Sequence, residues 1–522
     1  MKSKRIIACA FLLIVAFFTA ANFRLAVQPL KDFVRGRRNF VSFRDEIQSV
    51  LKSDDFSYKN SFINLNGLFS KLTGKRIINE TLLANNGMLA HDALSRTNVG
   101  HYAQRIAALD AAAAKMGIPF LYVQAPYKMD AQGMMLPAGT SNYAHENTQT
   151  LALLLEQNQI EALDMMPMFS DTLAHIEEYF FVTDHHWNFH GAFQGFQKLA
   201  QRLQQVLGDD TDISLYLDER NWTAHAVEDA YLGSLGRRVG LYVAGIDDIE
   251  YYTPDFETNM SFASPEQRML YKGNFSDAVM RMNLLDCGGD FFKSNTYAIY
   301  TGGNLSLGLH RNADAPIDAK VLLIKDSFGL PVQAFLSTVF SEIDAMDPRE
   351  FDECSITEYI FRSQPDAVVM MINPSIMGAA RSFNYGTEAA DALLAGPQAV
   401  CVFEQQEKDM GTADYEGAYS TVFRQLKPDT AYTLRFDDVR ILEGEAQGVH
   451  AALLNNADEP VLSWAADIDY ARAHGGFGWA FRTPETGAED LRLVVYNGEC
   501  KKTKGMHTVY ENVRLYEGYL TE

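Results

Sequence analysis

Apolar positions follow two patterns along the chain. From Asn98 to Gly117 the residues Val99, Tyr102, Ile106, Leu109 and Ala113 recur every three or four positions, which predicts a helix stopped at Gly117. The run that follows, IPFLYVQAP (118–126), is apolar along its length and predicts a buried strand. Helical spacing returns over 183–203, where Phe193, Phe196, Leu199, Ala200 and Leu203 form a stripe just after a histidine-rich segment. Val321 to Ile324 predicts another strand, then a turn and a helix that Pro331 can open from its first position. Residues 339–346 predict a further strand, Ser355 with Glu358 a capping box for a helix to about Arg362, and 366–375 a third continuous apolar strand. Strands apolar throughout and alternating with helices are buried on both faces, so the fold class expected here is α/β with a parallel sheet and flanking helices.

Near residue 400 the pattern changes. The runs 432–441, 450–455, 477–484, 489–498 and 510–518 are short, several alternate, and Asp, Asn, Gly and Pro turns separate them. Tyr432, Leu434 and Phe436 point one way, Thr433 and Arg435 the other. This spacing predicts an antiparallel β-sandwich or jelly roll. The N-terminus has a third character. Basic residues in Met1 to Arg5 precede an uncharged run from Ile6 to Phe23, and basic residues return at Arg24 and Lys31. That pattern predicts an export signal, with small residues for cleavage at Thr19-Ala20-Ala21, or an N-terminal membrane anchor. Either way the positive-inside rule places the rest of the chain outside the cytoplasmic membrane. The expected division is 1–30 leader or anchor, 31–398 α/β domain and 399–522 β-sandwich.

Composition narrows the function. With 522 residues, 47% hydrophobic and 21% charged, the chain can bury a core and is not disordered throughout. Its 67 Asp+Glu against 45 Lys+Arg, a net charge of -22, repels nucleic-acid phosphates and anionic lipid heads over the chain as a whole and argues against a nucleic-acid partner. Cys9 sits in the apolar run, where it reads as a small hydrophobe, and Cys287, Cys354, Cys401 and Cys500 show no CxxC or zinc spacing. Export permits disulfides among the last four, and buried free thiols fit equally well.

Two segments can carry chemistry. Ser327, in Lys325-Asp326-Ser327-Phe328-Gly329, follows a buried strand and precedes a helix, where a side chain is exposed at the sheet's carboxyl edge and helix-start N–H groups can hold an oxyanion. A serine there is commonly no more than an N-cap. In Thr183-Asp184-His185-His186-Trp187, residues two apart share a face, so Asp184 can orient His186 and His186 can deprotonate a serine. Asp184, His186 and His190 could instead ligate a metal, but no further cluster completes a shell, so neither metal nor cofactor is expected.

Together DHHW (184–187), KDSFG (325–329), APYK (125–128), NNGML (85–89) and YLGSLGRRVG (231–240) resemble the DHHW family of SGNH hydrolase-like proteins, relatives of the alginate O-acetyltransferases, over roughly residues 55–400. The resemblance implies an SGNH-like catalytic domain with Ser327 as nucleophile, His186 as general base and Asp184 orienting it. The order Asp-His before Ser matches the acetyltransferase branch. Lys325 stands where a GDS turn has glycine, so the oxyanion hole is not carried over; the Ser327 N–H and the loop at Gly233 are the candidates. Lys128 and Trp187 are further candidates for substrate contact, and Trp464, Trp479, Tyr470 and Tyr496 for stacking on sugars. The activity implied is O-acetylation of an exported polysaccharide, the acyl group arriving through a membrane-bound O-acyltransferase partner; a carbohydrate esterase and a non-catalytic polysaccharide-binding scaffold are the alternatives.

Overall fold

A computed structural model describes residues 2–53, 56–91, 96–130, 133–168, 175–267, 269–396, 398–412, 422–444, 446, 448–488, 491–497 and 507–520. Its central sheet has eight strands: Phe120–Gln124 (β1), Ala162–Asp164 (β2), Met260–Ser264 (β3), Met269–Gly273 (β4), Leu307–Asn312 (β5), Ile317–Lys325 (β6), Phe340–Met346 (β7) and Ala367–Ile372 (β8). They lie in the order β2-β1-β8-β6-β7-β5-β3-β4. The first five run parallel, as the apolar runs predict. The last three pair antiparallel, so the expected all-parallel sheet is in fact mixed. Strand β8 stops short of the predicted run because Asn373 caps a 3-10 turn that begins with Pro374.

β8, most of β1 and the Val321–Ile324 stretch of β6 are apolar because they feed two cores, whereas β7 also carries Ser341, Glu342 and Asp344. Val321 and Leu323 face one side, with the helix Phe189–Leu207, while Leu322 and Ile324 face the other, with the helix Val99–Lys115. Alternate residues of a strand point to opposite faces, so a sheet sandwiched by helices has no polar side. The predicted cap at Ser355 forms by accepting the Glu358 N–H, and Asn98 and Asn188 cap their helices in the same way.

Beyond residue 399 the strands build two antiparallel sheets that share no strand with the first. Tyr432, Leu434 and Phe436 from one and Val449, Ala451 and Leu453 from the other enclose a single core. The predicted run 432–441 is two strands, Ala431–Phe436 and Asp438–Glu443, both pairing with His507–Glu517. Trp479 is buried, so it packs the sandwich core rather than offering a face to a sugar, and Tyr470 donates its hydroxyl to Glu342 Oε1 (3.2 Å) on β7. The side chain of Tyr496 lies outside the described residues, as do Cys500 and part of the run 489–498. Cys287, Cys354 and Cys401 are free thiols.

At the N-terminus three helices follow one another, Lys2–Val34 (α1), Phe40–Lys52 (α2) and Lys59–Leu72 (α3). Among the described residues no helix is long and apolar enough to cross a membrane. Half of the side chains of the run 6–23, on which the leader or anchor expectation rests, lie outside them.

Candidate active site

β6 ends at Lys325 inside the parallel part of the sheet, and Asp326, Ser327 and Phe328 turn the chain into the helix Gly329–Leu336. Asp326 fixes that turn from beneath: its Oδ1 accepts the Phe328 N–H (2.9 Å) and its Oδ2 the Asn373 N–H (2.7 Å) at the end of β8. Burial pushes the Asp326 carboxyl up, opposed by those two main-chain donors. Ser327 thereby stands at the carboxyl edge of the sheet.

The segment 181–187 reaches the same edge and is held from two sides by buried charges. Asp247 accepts the N–H groups of Val182 (2.9 Å) and Thr183 (2.8 Å) and the Thr183 hydroxyl (2.6 Å). Opposite, Lys128 Nζ donates to the carbonyls of Phe181 (2.6 Å) and Asp184 (2.7 Å). Burial lowers this amine to about 7, opposed by Asp247 and Asp184. With the main chain clamped, Asp184 and His186 project together toward Ser327. Asp184 Oδ1 accepts from His186 Nδ1 at 2.6 Å, and His186 Nε2 lies 2.7 Å from Ser327 Oγ. The proton therefore sits on Nδ1, and Nε2 is left to accept from the serine hydroxyl. Asp184 Oδ2 accepts from the Tyr231 hydroxyl (3.0 Å) and from the Ser234 N–H.

Electrostatics fit a neutral base beside an ionised carboxylate. For Asp184, burial favours the neutral acid, but His185 and His186 outweigh it and hold the carboxyl well below its usual range. Burial lowers His186 to about 4, helped by His185 and only partly opposed by Asp184. Tyr297 stacks on the His186 ring (4.2 Å between centroids) and donates its hydroxyl to the Ser327 carbonyl (3.1 Å). This arrangement can draw the proton from Ser327 Oγ, after which Asp184 stabilises the imidazolium.

The structure brings Ser327, His186 and Asp184 together and gives the other predicted residues different tasks. Lys128 is not a solvent-side contact: its ammonium is buried and spent on main-chain carbonyls. Trp187 turns away from the cleft, fully buried, with Nε1 donating to the Phe328 carbonyl (3.1 Å) beneath the serine turn. Gly233 cannot supply the oxyanion hole, because its N–H is taken by Thr183 Oγ1 (2.7 Å). Among the described residues the Ser327 N–H has no hydrogen-bond partner, so it remains available to an oxyanion. His190 leaves the predicted metal set and pairs with the Tyr252 hydroxyl (3.1 Å). Asp184, His185 and His186 do bring ligand atoms within 4.8 Å of one another, and a metal there would use the atoms that now link the triad. Tyr231, Tyr297 and Asp247 were not singled out from the sequence; only Tyr231 fell inside a quoted motif.

Residues 82–258 match the SGNH hydrolase-like domain of the acetyltransferase AlgX. The AlgX-type span contains Lys128, Asp184, His186 and Gly233 and ends before Ser327. No curated protein matches the sequence. Among solved structures, PatB1 of Bacillus cereus aligns at 21% identity over 58% of this chain and 99% of that one, with a TM-score of 0.48. A DHHW family protein from Eubacterium siraeum aligns at 16% identity over 60% and 98% (TM-score 0.43). Pseudomonas aeruginosa AlgX itself aligns at 13% identity over 84% and 95% (TM-score 0.35).

Proposed function

We propose that this protein is an extracytoplasmic O-acetyltransferase that acylates a hydroxyl of a cell-surface or secreted polysaccharide through Ser327. The observation that carries the reading is the unbroken chain of two short hydrogen bonds from Asp184 through His186 to Ser327 Oγ. The AlgX-type span supports acetyl transfer as the chemistry. His186 Nε2 takes the Ser327 proton as Oγ attacks the acetyl carbonyl of the donor, and the Ser327 N–H faces the oxyanion. Collapse expels the donor's leaving group, which receives the proton from His186, and leaves acetyl-Ser327. A sugar hydroxyl then gives its proton to His186 and attacks that ester, restoring Ser327. The donor is supplied by a membrane-bound O-acyltransferase partner, and no metal or organic cofactor takes part.

The test is intact mass after mixing the protein with p-nitrophenyl acetate. An acetyl adduct is expected on the wild type and none on Ser327→Ala or His186→Ala. Candidate oligosaccharides should then gain the acetyl group faster than water removes it. Release to water alone would make the protein an esterase, and an adduct that persists in Ser327→Ala would overturn the assignment of the nucleophile.

A further inference from the structure

The N-terminal helices carry the largest run of exposed apolar side chains outside any described core. On α3, Leu65, Phe69 and Leu72 are 60%, 68% and 76% exposed, and Phe62, at 40%, continues their row. Spacings of three and four residues align these four along one helical face. A surface stripe of this kind on a water-soluble body marks a contact.

The opposite face of α3 is already used. Gly67 and Ser70 are buried there, and a Cβ at Gly67 would lie 1.8 Å from the Val239 carbonyl oxygen. Asn64 Oδ1 accepts the Leu241 N–H (2.7 Å). α3 thus seats on the segment 234–244, whose first N–H, that of Ser234, holds Asp184 Oδ2. The stripe faces away from that seat, and its row runs back to α1, where Phe62 meets Phe18 (4.3 Å between ring centroids).

Charge identifies the occupant. Residues 56–79 hold four basic residues, Lys59, Lys71, Lys75 and Arg76, and no acidic one, in a chain whose net charge is -22. Lys71, Lys75 and Arg76 are exposed at the end of the stripe. An apolar row with Lys71, Lys75 and Arg76 exposed at its end, the nearest acidic residues being Asp54, Asp55 and Glu80 outside the segment, fits an anionic lipid surface, where the side chains enter the headgroup boundary and the cations pair with phosphates. We infer that α3 lies on an anionic bilayer with Phe62, Leu65, Phe69 and Leu72 inserted, so that the segment bracing Asp184 is seated on the membrane-facing helix.

The test uses the full chain with the photocrosslinking change Phe69→p-benzoylphenylalanine and vesicles of phosphatidylcholine and phosphatidylglycerol. After irradiation, intact mass should show a lipid adduct, while the same replacement at Leu215, exposed on the body, should give none. The paired changes Leu65→Glu and Phe69→Glu should lower partition onto these vesicles at least tenfold and leave p-nitrophenyl acetate turnover without vesicles unchanged. Three results would overturn the inference: no vesicle binding by the full chain, vesicle binding through α1 with no lipid adduct at position 69, or partition of the double variant equal to wild type. Adducts at position 69 formed only with an added membrane protein would assign the stripe to that protein and refute the lipid contact.

Discussion

Asp184→Asn changes one atom at the centre of the site and separates charge from shape. The carboxylate accepts His186 Nδ1 and the His186 main-chain N–H on Oδ1, and Tyr231 and Ser234 on Oδ2. An amide can keep its oxygen toward His186, which preserves the tautomer but turns NH2 against the Ser234 N–H; the Tyr231 hydroxyl can rotate to accept. Reversed, the amide turns NH2 against the His186 N–H and forces the imidazole proton onto Nε2, where it blocks acceptance from Ser327. Each orientation leaves one buried main-chain donor unpaired, a loss of about 1–3 kcal/mol of stability. Each also removes the charge that opposes the lowering of His186, already at about 4. Steady-state hydrolysis of p-nitrophenyl acetate should show kcat lowered by about 10³- to 10⁴-fold with KM nearly unchanged. Circular dichroism and thermal melting would confirm that the variant is folded at the assay temperature. If folded Asp184→Asn retained kcat within about threefold of wild type while Ser327→Ala was inactive, the coupling of Asp184 to the base would be refuted.

Four further outcomes follow from the same geometry. Because His186 acts as a neutral base, kcat/KM should be level above pH 5 and fall tenfold per unit below about 4; a midpoint near the ordinary 6.5 would contradict its burial. Stability shifts in the same direction, since the unfolded imidazole protonates at 6.5 and the folded one only at about 4, so urea midpoints should drop as pH falls through that window. Lys128→Met removes the donor shared by the Phe181 and Asp184 carbonyls, and urea titration should show a loss of about 2 kcal/mol or more together with loss of turnover. Gly195→Ala places a Cβ 2.6 Å from the Trp187 ring and should cost about 1–3 kcal/mol by the same measurement, with turnover reduced because Trp187 supports the serine turn.

Legibility in the sequence tracked how local the physical cause was. β1, β8 and the Val321–Ile324 stretch of β6 could be read because they alternate between two apolar cores, and β7 could be read from Val339, Phe340, Ile343 and Met346 although Ser341, Glu342 and Asp344 interrupt it. The cap at Ser355 acts within three residues and was equally plain. β3, β4 and β5 escaped because polar residues interrupt them, as in Leu307-Gly308-Leu309-His310-Arg311-Asn312, and every residue of β4 is only half-buried. Within the site, the serine turn and the Asp184–His186 pair carry their signal in adjacent residues. The tasks of Lys128 and Gly233 do not: the amine meets carbonyls 53 and 56 positions away, and the glycine N–H meets a hydroxyl 50 positions away. Tyr297 reaches Ser327 across 30 residues by a route no local pattern encodes.

The turn that presents Ser327 also ties two positions to each other sterically. A Cβ at Gly329 would lie 2.7 Å from Lys325 Cβ and 3.0 Å from its Cγ and Cδ, although Gly329 has no unusual backbone angle. The glycine is required by its neighbour's bulk rather than by conformation, and the helix begins directly over the aliphatic stem of a lysine that burial holds at about 8. Relatives with glycine at position 325 have that space free and can carry a larger residue at 329, whereas relatives that keep a long side chain at 325 are confined to glycine there. The two positions should therefore vary as a pair among relatives, and exchanging either one alone should displace the nucleophile.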